Sequence, residues 1–525
     1  MFTNEPLLDF TVAANRQSLS AAISALNSDL QRTGPAAISP IINGERCAGG
    51  TSFVRTNPAQ PGVVLATVRG ATVLEARAAL AAARAAQPGW EEVPAEERAQ
   101  ILRSAAQEMR AQRFALCALI IAEAGKPWAE ADGDVAEAID FCDYYANEME
   151  RLESRRSMSS LAGEDNWYFY QPRGVCVVIS PWNFPLAIAC GMAVAALVTG
   201  NTCVFKPAEQ TSLIGARFFD IMVKAGLPPE VFQFLPGVGE EVGPELVNSA
   251  LTDMIVFTGS RAVGLSIIAD AARSSPEQRS IKRVVAELGG KNCIIVDEDA
   301  DLDDAVKGVL QSAFGYAGQK CSACSRVIVV GAAYEGYIKR LTAAAADIIV
   351  GDPAESASFL PPVVDHEAQA RIIATIAQAK RSERCVFEGQ TPKSGCFVPA
   401  TIFADVSAQS ALWREEIFGP VLAVRQAKSF EEAIADANDS AYALTGGVFS
   451  RSPKNLAYAQ RRFKVGNLYL NRKITGAMVH RQPFGGFKMS GVGSKAGGPD
   501  YLVQFMEPRT ITENTMRRGF APQGY

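Results

Sequence analysis

Val175-Cys176-Val177-Val178-Ile179-Ser180-Pro181-Trp182-Asn183-Phe184-Pro185 is five apolar residues running straight into a loop braced by two prolines. A run that is apolar at every position, not at alternate ones, suits a strand buried on both faces, and such strands belong to parallel sheets. Similar short runs recur at 202–205, 231–235, 254–257 and 283–286. Their starts lie 27, 29, 23 and 29 residues apart, with helical sequence between most of them. Strand, crossover helix and strand in about thirty residues is the unit of a parallel α/β sheet. Downstream, a second α/β region is expected from an apolar run at 293–296, a helix over 303–316, a loop around Cys321 and a strand over 326–330. Upstream, 18–31, 71–86, 95–113 and 134–151 carry apolar residues at helical spacing and read as helices that coat the sheet. Two further segments, 166–170 and 501–511, read as β extensions, the kind that pair across a subunit boundary.

At 525 residues the chain is too long for one core, and two or three domains are expected. Its 51 basic and 56 acidic residues are mixed along the chain, giving a net charge of −5, which offers no basic face for nucleic acid. The apolar run 186–199 is too short and too rich in Ala and Gly for a membrane span and reads as a buried helix. No basic, then apolar, leader opens the sequence, and the 11 cysteines follow no paired pattern. A cytoplasmic protein with reduced thiols is therefore expected.

The ends of the strands carry the chemistry, which is where parallel sheets bind ligands. Pro181 and Pro185 fix the loop so that the Asn183 amide is held as a hydrogen-bond donor. Lys206 and Glu209, one turn apart, suit ribose hydroxyls, with Lys206 also in reach of a phosphate. Gly237-Val238-Gly239-Glu240-Glu241-Val242-Gly243 nearly matches a dinucleotide fingerprint but sets its last glycine one residue too far. Ser260 is a natural helix N-cap beside an anion-binding terminus. Glu287 closes the last run, and 34 positions later Cys321 lies in a small, polar, glycine-flanked segment. A thiolate that attacks a carbonyl and a carboxylate that then activates water divide acyl chemistry into two easier steps. Only two histidines occur, His366 and His480, which leaves little room for a His-assisted nucleophile.

Six ordered motifs carry a family resemblance: Pro181-Trp182-Asn183-Phe184-Pro185, Lys206-Pro207-Ala208-Glu209, Phe257-Thr258-Gly259-Ser260, Glu287-Leu288-Gly289-Gly290-Lys291, Gly318-Gln319-Lys320-Cys321 and Glu415-Glu416-Ile417-Phe418-Gly419-Pro420. Over roughly residues 40 to 512 the chain resembles the aldehyde dehydrogenase superfamily. Within it, residues 315–326 and 472–479, supported by 136–141 and the long N-terminal arm, resemble the 1-pyrroline-5-carboxylate (L-glutamate γ-semialdehyde) dehydrogenases.

The resemblance implies an α/β fold in three parts. A Rossmann-like, parallel-sheet NAD-binding domain is expected from 1–153 and 174–286, with the N-terminal helical arm. An α/β catalytic domain with the nucleophile loop is expected over 287–486, and a small β oligomerisation arm from 154–173 and 487–525. It implies NAD-dependent oxidation of L-glutamate γ-semialdehyde to L-glutamate, the second step of proline catabolism, through a Cys321 thiohemiacetal and thioester. Asn183 and the Cys321 N–H would hold the oxyanion, and Glu287 would activate water. Lys206 and Glu209 would hold the adenosine ribose, Glu416 and Phe418 the nicotinamide ribose, and Ser260 would face the pyrophosphate. Ser180, Pro181, Trp182, Ala208, Gly239, Gly243, Phe257, Gly259, Leu288 and Gly289 complete the implied cofactor site. Ser322 and the N–H groups of Gly476 and Ala477 would anchor the substrate's carboxylate end. Phe184 and Phe484 would flank its aliphatic chain, and Glu137 would lie near its ammonium. A homodimer or multiple of dimers is implied, together with functional coupling to a proline dehydrogenase.

Other readings stay open at this point. The same mechanism serves another semialdehyde or an aliphatic aldehyde, a relative can pass its thioester to coenzyme A, and a non-catalytic NAD-binding descendant can keep the fold. Cys321-Ser322-Ala323-Cys324 spells C-x-x-C, but no second pair accompanies it, so no metal site is expected. The acidic run 297–304 reads as a helix start and not as a calcium loop, because it lacks the loop's glycine and terminal glutamate.

Overall fold

The short apolar runs at 175–179, 202–205, 254–257, 283–286 and 293–296 become strands, and the positions of the strands decide where the chemistry falls. A computed structural model describes residues 2–516. Val175–Ile179, Thr202–Lys206, Phe232–Phe234, Met254–Thr258 and Arg283–Glu287 form the parallel centre of an eight-stranded sheet. Val175–Ile179 lies in the middle, with Thr202–Lys206 and then Phe232–Phe234 on one side, Met254–Thr258 and then Arg283–Glu287 on the other. The winding direction reverses at that strand, and crevices at such reversals are where doubly wound sheets take ligands. Short antiparallel strands extend both edges: Ile41–Ile42 with Glu45–Arg46 at one, Gly491–Val492 at the other.

The second sheet has seven strands in the spatial order Arg384–Glu388, Thr401–Ala404, Val421–Ala427, Cys324–Val330, Asn292–Val296, Thr445–Phe449 and Asn467–Leu470. All its pairings are parallel except the one that Arg384–Glu388 makes at the edge. The strand expected at 326–330 begins earlier, at Cys324, where the thiol contacts the Arg326 carbonyl at 3.3 Å.

Helices coat both sheets, and their ends follow from local chemistry. Thr72 and Glu75 form a reciprocal capping box ahead of Val73–Glu91. The helix expected over 95–113 is two: Ala95–Ala111 ends at Gln112, whose backbone is no longer helical (φ −107°, ψ 13°), and Arg113–Ala124 follows. That second helix closes on Gly125 in a left-handed conformation (φ 68°), whose N–H returns to the Ile121 carbonyl. Pro127 then opens the long Trp128–Glu153 helix. The run at 186–199 is the buried helix Ala187–Val198, and no helix among the described residues is long and apolar enough to cross a membrane.

The two β extensions pair with each other inside the chain. Glu164–Pro172 runs antiparallel to Met506–Asn514 over nine residue pairs, and Arg156–Ser157 adds a third strand. The extension expected from 501 begins only at Met506, because Leu502–Phe505 forms a 3₁₀ turn. Tyr501 stacks on Tyr145 of the long helix with ring centroids 5.5 Å apart, so these apolar residues go into the core. Residues 487–492, grouped with the arm in the sequence reading, return to the body instead. Phe487–Lys488 pairs with Tyr442–Ala443, and Gly491–Val492 pairs with Arg283–Glu287. Residues 517–525 of the expected arm lie outside the described residues.

Candidate active site

Cys321 sits on a loop held from four sides. The loop enters through three consecutive left-handed residues, Tyr316 (φ 54°), Ala317 (φ 52°) and Gly318 (φ 67°). A Cβ on Gly318 would lie 2.4 Å from the Gly419 carbonyl oxygen, so only glycine fits. The buried Asn183 donates its Nδ2 to the Gln319 carbonyl at 3.0 Å, tying the loop after Val175–Ile179 to the nucleophile loop. Asn292 Nδ2 donates to the carbonyls of Cys321 (2.6 Å) and Ala323 (2.9 Å), while its Oδ1 accepts from Thr445 N at 2.9 Å. The Thr445 hydroxyl donates to the Ser322 carbonyl at 3.2 Å. Among the described residues the Cys321 N–H donates to no acceptor, and the Asn183 amide spends one of its two protons on the Gln319 carbonyl.

The electrostatics around the thiol are negative. Burial first, then the Glu287, Glu416 and Glu137 carboxylates, push Cys321 up to about 12, opposed by the Ser322 N–H. Glu287, at the C-terminal end of its strand, is pushed up to about 8 by burial, and only the Lys495 ammonium is set against that rise. Its Oε2 is buried without a hydrogen-bond partner among the described residues. Glu137 is half-buried and also pushed up to about 8 by burial, with Asp134 adding to the rise.

The crevice at the reversal strand gathers the cofactor candidates. Glu209 Oε1 accepts from Lys206 Nζ (3.2 Å) and from Gly239 N (2.5 Å), joining three of them in one cluster. Ala208 is buried beside them, and Ser180 N donates to the Lys206 carbonyl at 3.1 Å. Gly243, by contrast, lies within the Gly239–Asn248 helix, where an added Cβ would meet open space. Ser260 caps Arg261–Ala271 by accepting from Val263 N at 3.3 Å. Gly259 N donates to the Glu287 carbonyl at 3.1 Å, and a Cβ on Gly259 would meet the Phe257 ring at 2.5 Å.

Trp182, next to Pro181, meets Phe418 edge to face at 5.5 Å. Glu416 Oε1 accepts from Gly290 N at 2.8 Å, and a Cβ on Gly289 would lie 2.1 Å from Glu416 Oε2. Leu288 packs where a Cβ on Gly264 would be. A capped helix terminus, a ribose-sized polar cluster and glycine backbones stripped of side chains fit a dinucleotide well.

The substrate-end candidates are less tightly joined. Ser322 is buried beside Cys321, and Phe184 carries the Lys126 ammonium 3.7 Å above its ring. Gly476 is left-handed (φ 76°), and among the described residues neither its N–H nor that of Ala477 finds an acceptor, as an anion nest requires. Phe484 bridges to Ala496 through paired backbone bonds of 2.9 and 2.8 Å. No hydrogen bond or ring contact joins Phe184, Phe484 and Gly476 directly. A cavity of about 460 Å³ is lined by Asn467, Tyr469, Arg472, Gln482, Pro483 and Lys495, and Phe484 is not among its lining residues.

Several residues of the site escape sequence reading. Asn292 and Thr445 are single polar residues opening apolar strands. Lys126 and Asp134, both fully buried, pair at 2.9 Å, and Asp134 also accepts from Ala187 N at 2.7 Å, fixing the helix that follows the Asn183 loop. Lys320 pairs with Glu130 at 2.6 Å next to the nucleophile. Lys291 is buried with no hydrogen-bond partner for its Nζ among the described residues, and burial pushes it down to about 7.

The aldehyde dehydrogenase family model matches residues 46–511. The chain belongs to that family. It is 46% identical over 513 residues to a 1-pyrroline-5-carboxylate dehydrogenase of Geobacillus sp. (strain WCH70), covering 98% of this chain and 99% of the relative. Among solved structures it is similar to the 1-pyrroline-5-carboxylate dehydrogenase from Thermus with bound NAD, at 44% identity and TM-score 0.95, covering 98% of this chain and 99% of that one. It is also similar to proline utilization A from Bdellovibrio bacteriovorus, at 49% identity and TM-score 0.97; all of this chain is covered but only 54% of that longer one.

Proposed function

We propose that this family member oxidises L-glutamate γ-semialdehyde, the open form of 1-pyrroline-5-carboxylate, to L-glutamate with NAD, the second step of proline catabolism. The observation that carries this reading is similarity along the whole chain, 98% of it at 46% identity, to a relative of that name. The free Gly476 and Ala477 N–H groups support it, because an α-amino acid semialdehyde needs a carboxylate anchor that a simple aldehyde does not.

Cys321 gives its proton to solvent water and its sulfur attacks the aldehyde carbon, converting the carbonyl oxygen to an alkoxide. The Cys321 N–H and the unused Asn183 amide proton stabilise that charge from positions fixed beforehand. When held by the cofactor-site residues, a nicotinamide dinucleotide would supply the hydride acceptor that oxidation of the tetrahedral carbon requires. The carbon remains as a thioester on Cys321. Glu287 takes a proton from water, the resulting hydroxide attacks the thioester, and the Cys321 thiolate departs. Lys206, Glu209 and Gly239 hold the adenosine ribose end, Ser260 and its helix the pyrophosphate, and Trp182, Glu416 and Phe418 the nicotinamide end. Ser322, Gly476 and Ala477 take the substrate carboxylate, Phe184 and Phe484 its chain, and Glu137 its ammonium.

The same proposal divides the chain into NAD-binding, catalytic and β-arm parts and gives it a cytoplasmic location. A dimer, or a multiple of dimers, is supported by Met506–Asn514, a nine-residue strand at the edge of its sheet and largely exposed. Functional coupling to a proline dehydrogenase is supported by the likeness to proline utilization A, about half of whose length this chain spans.

The test is NADH formation from 1-pyrroline-5-carboxylate and from hexanal, side by side, in the wild type and in Ala477→Phe. The expected result is turnover of the first substrate only, with KM raised about tenfold or more in the variant, a loss of about 1.4 kcal/mol in anchoring. Equal use of hexanal, or equal losses on both substrates, would assign the mechanism to another aldehyde.

A further inference from the structure

The carboxylate assigned to water activation lies against a wall with no side chains. Glu287 Oε1 is 2.9 Å from where a Cβ on Gly485 would stand, and Oε2 is 3.5 Å from the equivalent point on Gly491. Behind that wall stands Lys495. Its Nζ donates to the Gly466 carbonyl (2.7 Å), Asn467 Oδ1 (2.9 Å) and the Gly485 carbonyl (2.8 Å). An ammonium has three protons, so all are used within the wall and none is left for Glu287.

The Gly485 backbone is held between the two residues: a Cβ there would also be 3.3 Å from Lys495 Cγ. Gly466 and Gly485 approach so closely that a Cβ on Gly466 would lie 1.9 Å from the Gly485 carbonyl oxygen. Asn467 closes the assembly by donating its Nδ2 to the Pro483 carbonyl at 2.9 Å. Lys495 therefore joins the Asn467–Leu470 strand of one sheet to the segment running into Gly491–Val492 of the other. The other titratable groups that face Glu287 are the Cys321 thiol on the nucleophile loop and the Tyr501 phenol. Neither carries positive charge.

We propose that Lys495 is a positioning residue for thioester hydrolysis: it fixes the Gly485 wall against Glu287 and supplies the positive charge that keeps this carboxylate available as a base. Direction supports geometry here. Burial raises Glu287 and Lys495 opposes the rise, while Glu287 in turn favours the Lys495 ammonium. Removing the ammonium leaves burial unopposed, so the ionised carboxylate is populated only at higher pH. The inference rests on Glu287 acting as the base.

The test is the pH profile of the rate after the first turnover, with the first-turnover NADH burst as an internal control, in Lys495→Met, Lys495→Arg and Glu287→Gln. For Lys495→Met the rising limb should move up by about one pH unit, roughly a tenfold loss at pH 7 that is recovered above pH 9. The burst should persist, and Lys495→Arg should return the limb to its wild-type position. If Lys495→Met is not obtained folded, Lys495→Gln, which keeps N–H donors without the charge, carries the same expectation. A limb that stays in place in the uncharged variants, with Glu287→Gln inactive after its burst, overturns the role of Lys495 alone. Wild-type turnover in Glu287→Gln overturns the reading of Glu287 itself.

Discussion

At the scale of single residues, burial is the first influence on how the two reacting groups of the site hold their protons. Burial and three carboxylates hold the Cys321 thiol protonated, and burial holds Glu287 protonated below about pH 8. The signs make a prediction. Above pH 8 Glu287 is ionised and raises the Cys321 thiol, so Glu287→Gln removes a negative charge and lowers it. Alkylation of Cys321 by iodoacetamide at pH 9, without cofactor, should be about threefold or more faster in Glu287→Gln than in the wild type. An equal or slower rate would mean that the two groups do not share a field. At the same scale, Cys321, Glu287, Asn183 and Glu416 were legible because each sits in a dense local motif. Asn292, Thr445 and Lys495 were not, because each acts through partners 10 to 153 positions away and has no local signature.

At the scale of elements, continuous apolar runs were the most readable signal. Val175–Ile179 falls where five consecutive apolar residues place it, since a strand covered on both faces tolerates nothing else. Charged residues inside helices were opaque for the opposite reason. Lys126 and Asp134 look like solvated surface in sequence, yet both are fully buried, and Lys126 lies over the Phe184 ring. Burial drives each toward its neutral form, and each is the other's main source of opposing charge. Breaking such a pair leaves one buried charge alone, which costs about 3–5 kcal/mol. Asp134→Ala should therefore lower the unfolding midpoint strongly. The double variant Asp134→Leu with Lys126→Met should recover most of the loss. A single-variant loss below about 1 kcal/mol would show that the pair is solvated after all.

At the scale of the whole molecule, two parallel sheets face the same chemistry from different sides. Most NAD-binding candidates come from strand ends of the first sheet, Glu416, Phe418 and the nucleophile come from loops of the second, and residues 487–492 return to the first sheet and to a separate two-stranded pairing with Tyr442–Ala443. That return was not legible, because two-residue strands carry no periodicity. The β extensions were legible as strands but not as partners, since nothing local in 164–172 specifies a partner far along the chain, Asn514 for Glu164 and Met506 for Pro172. A chain ended after Phe505 leaves Glu164–Pro172 without its nine-residue neighbour and with only the short Arg156–Ser157 pairing. Light scattering should then give a monomer mass for the shortened chain, with NAD binding retained, and on the proposed assembly a dimer or a multiple of dimers for the full chain. An unaltered mass would place the interface elsewhere.

The central claim is that Cys321 takes the acyl group and Glu287 releases it. The most direct measurement is mass spectrometry of Glu287→Gln after mixing with 1-pyrroline-5-carboxylate and NAD. The expected result is one equivalent of NADH and a glutamyl thioester on the peptide carrying Cys321. An unmodified Cys321 alongside continuous turnover would contradict it.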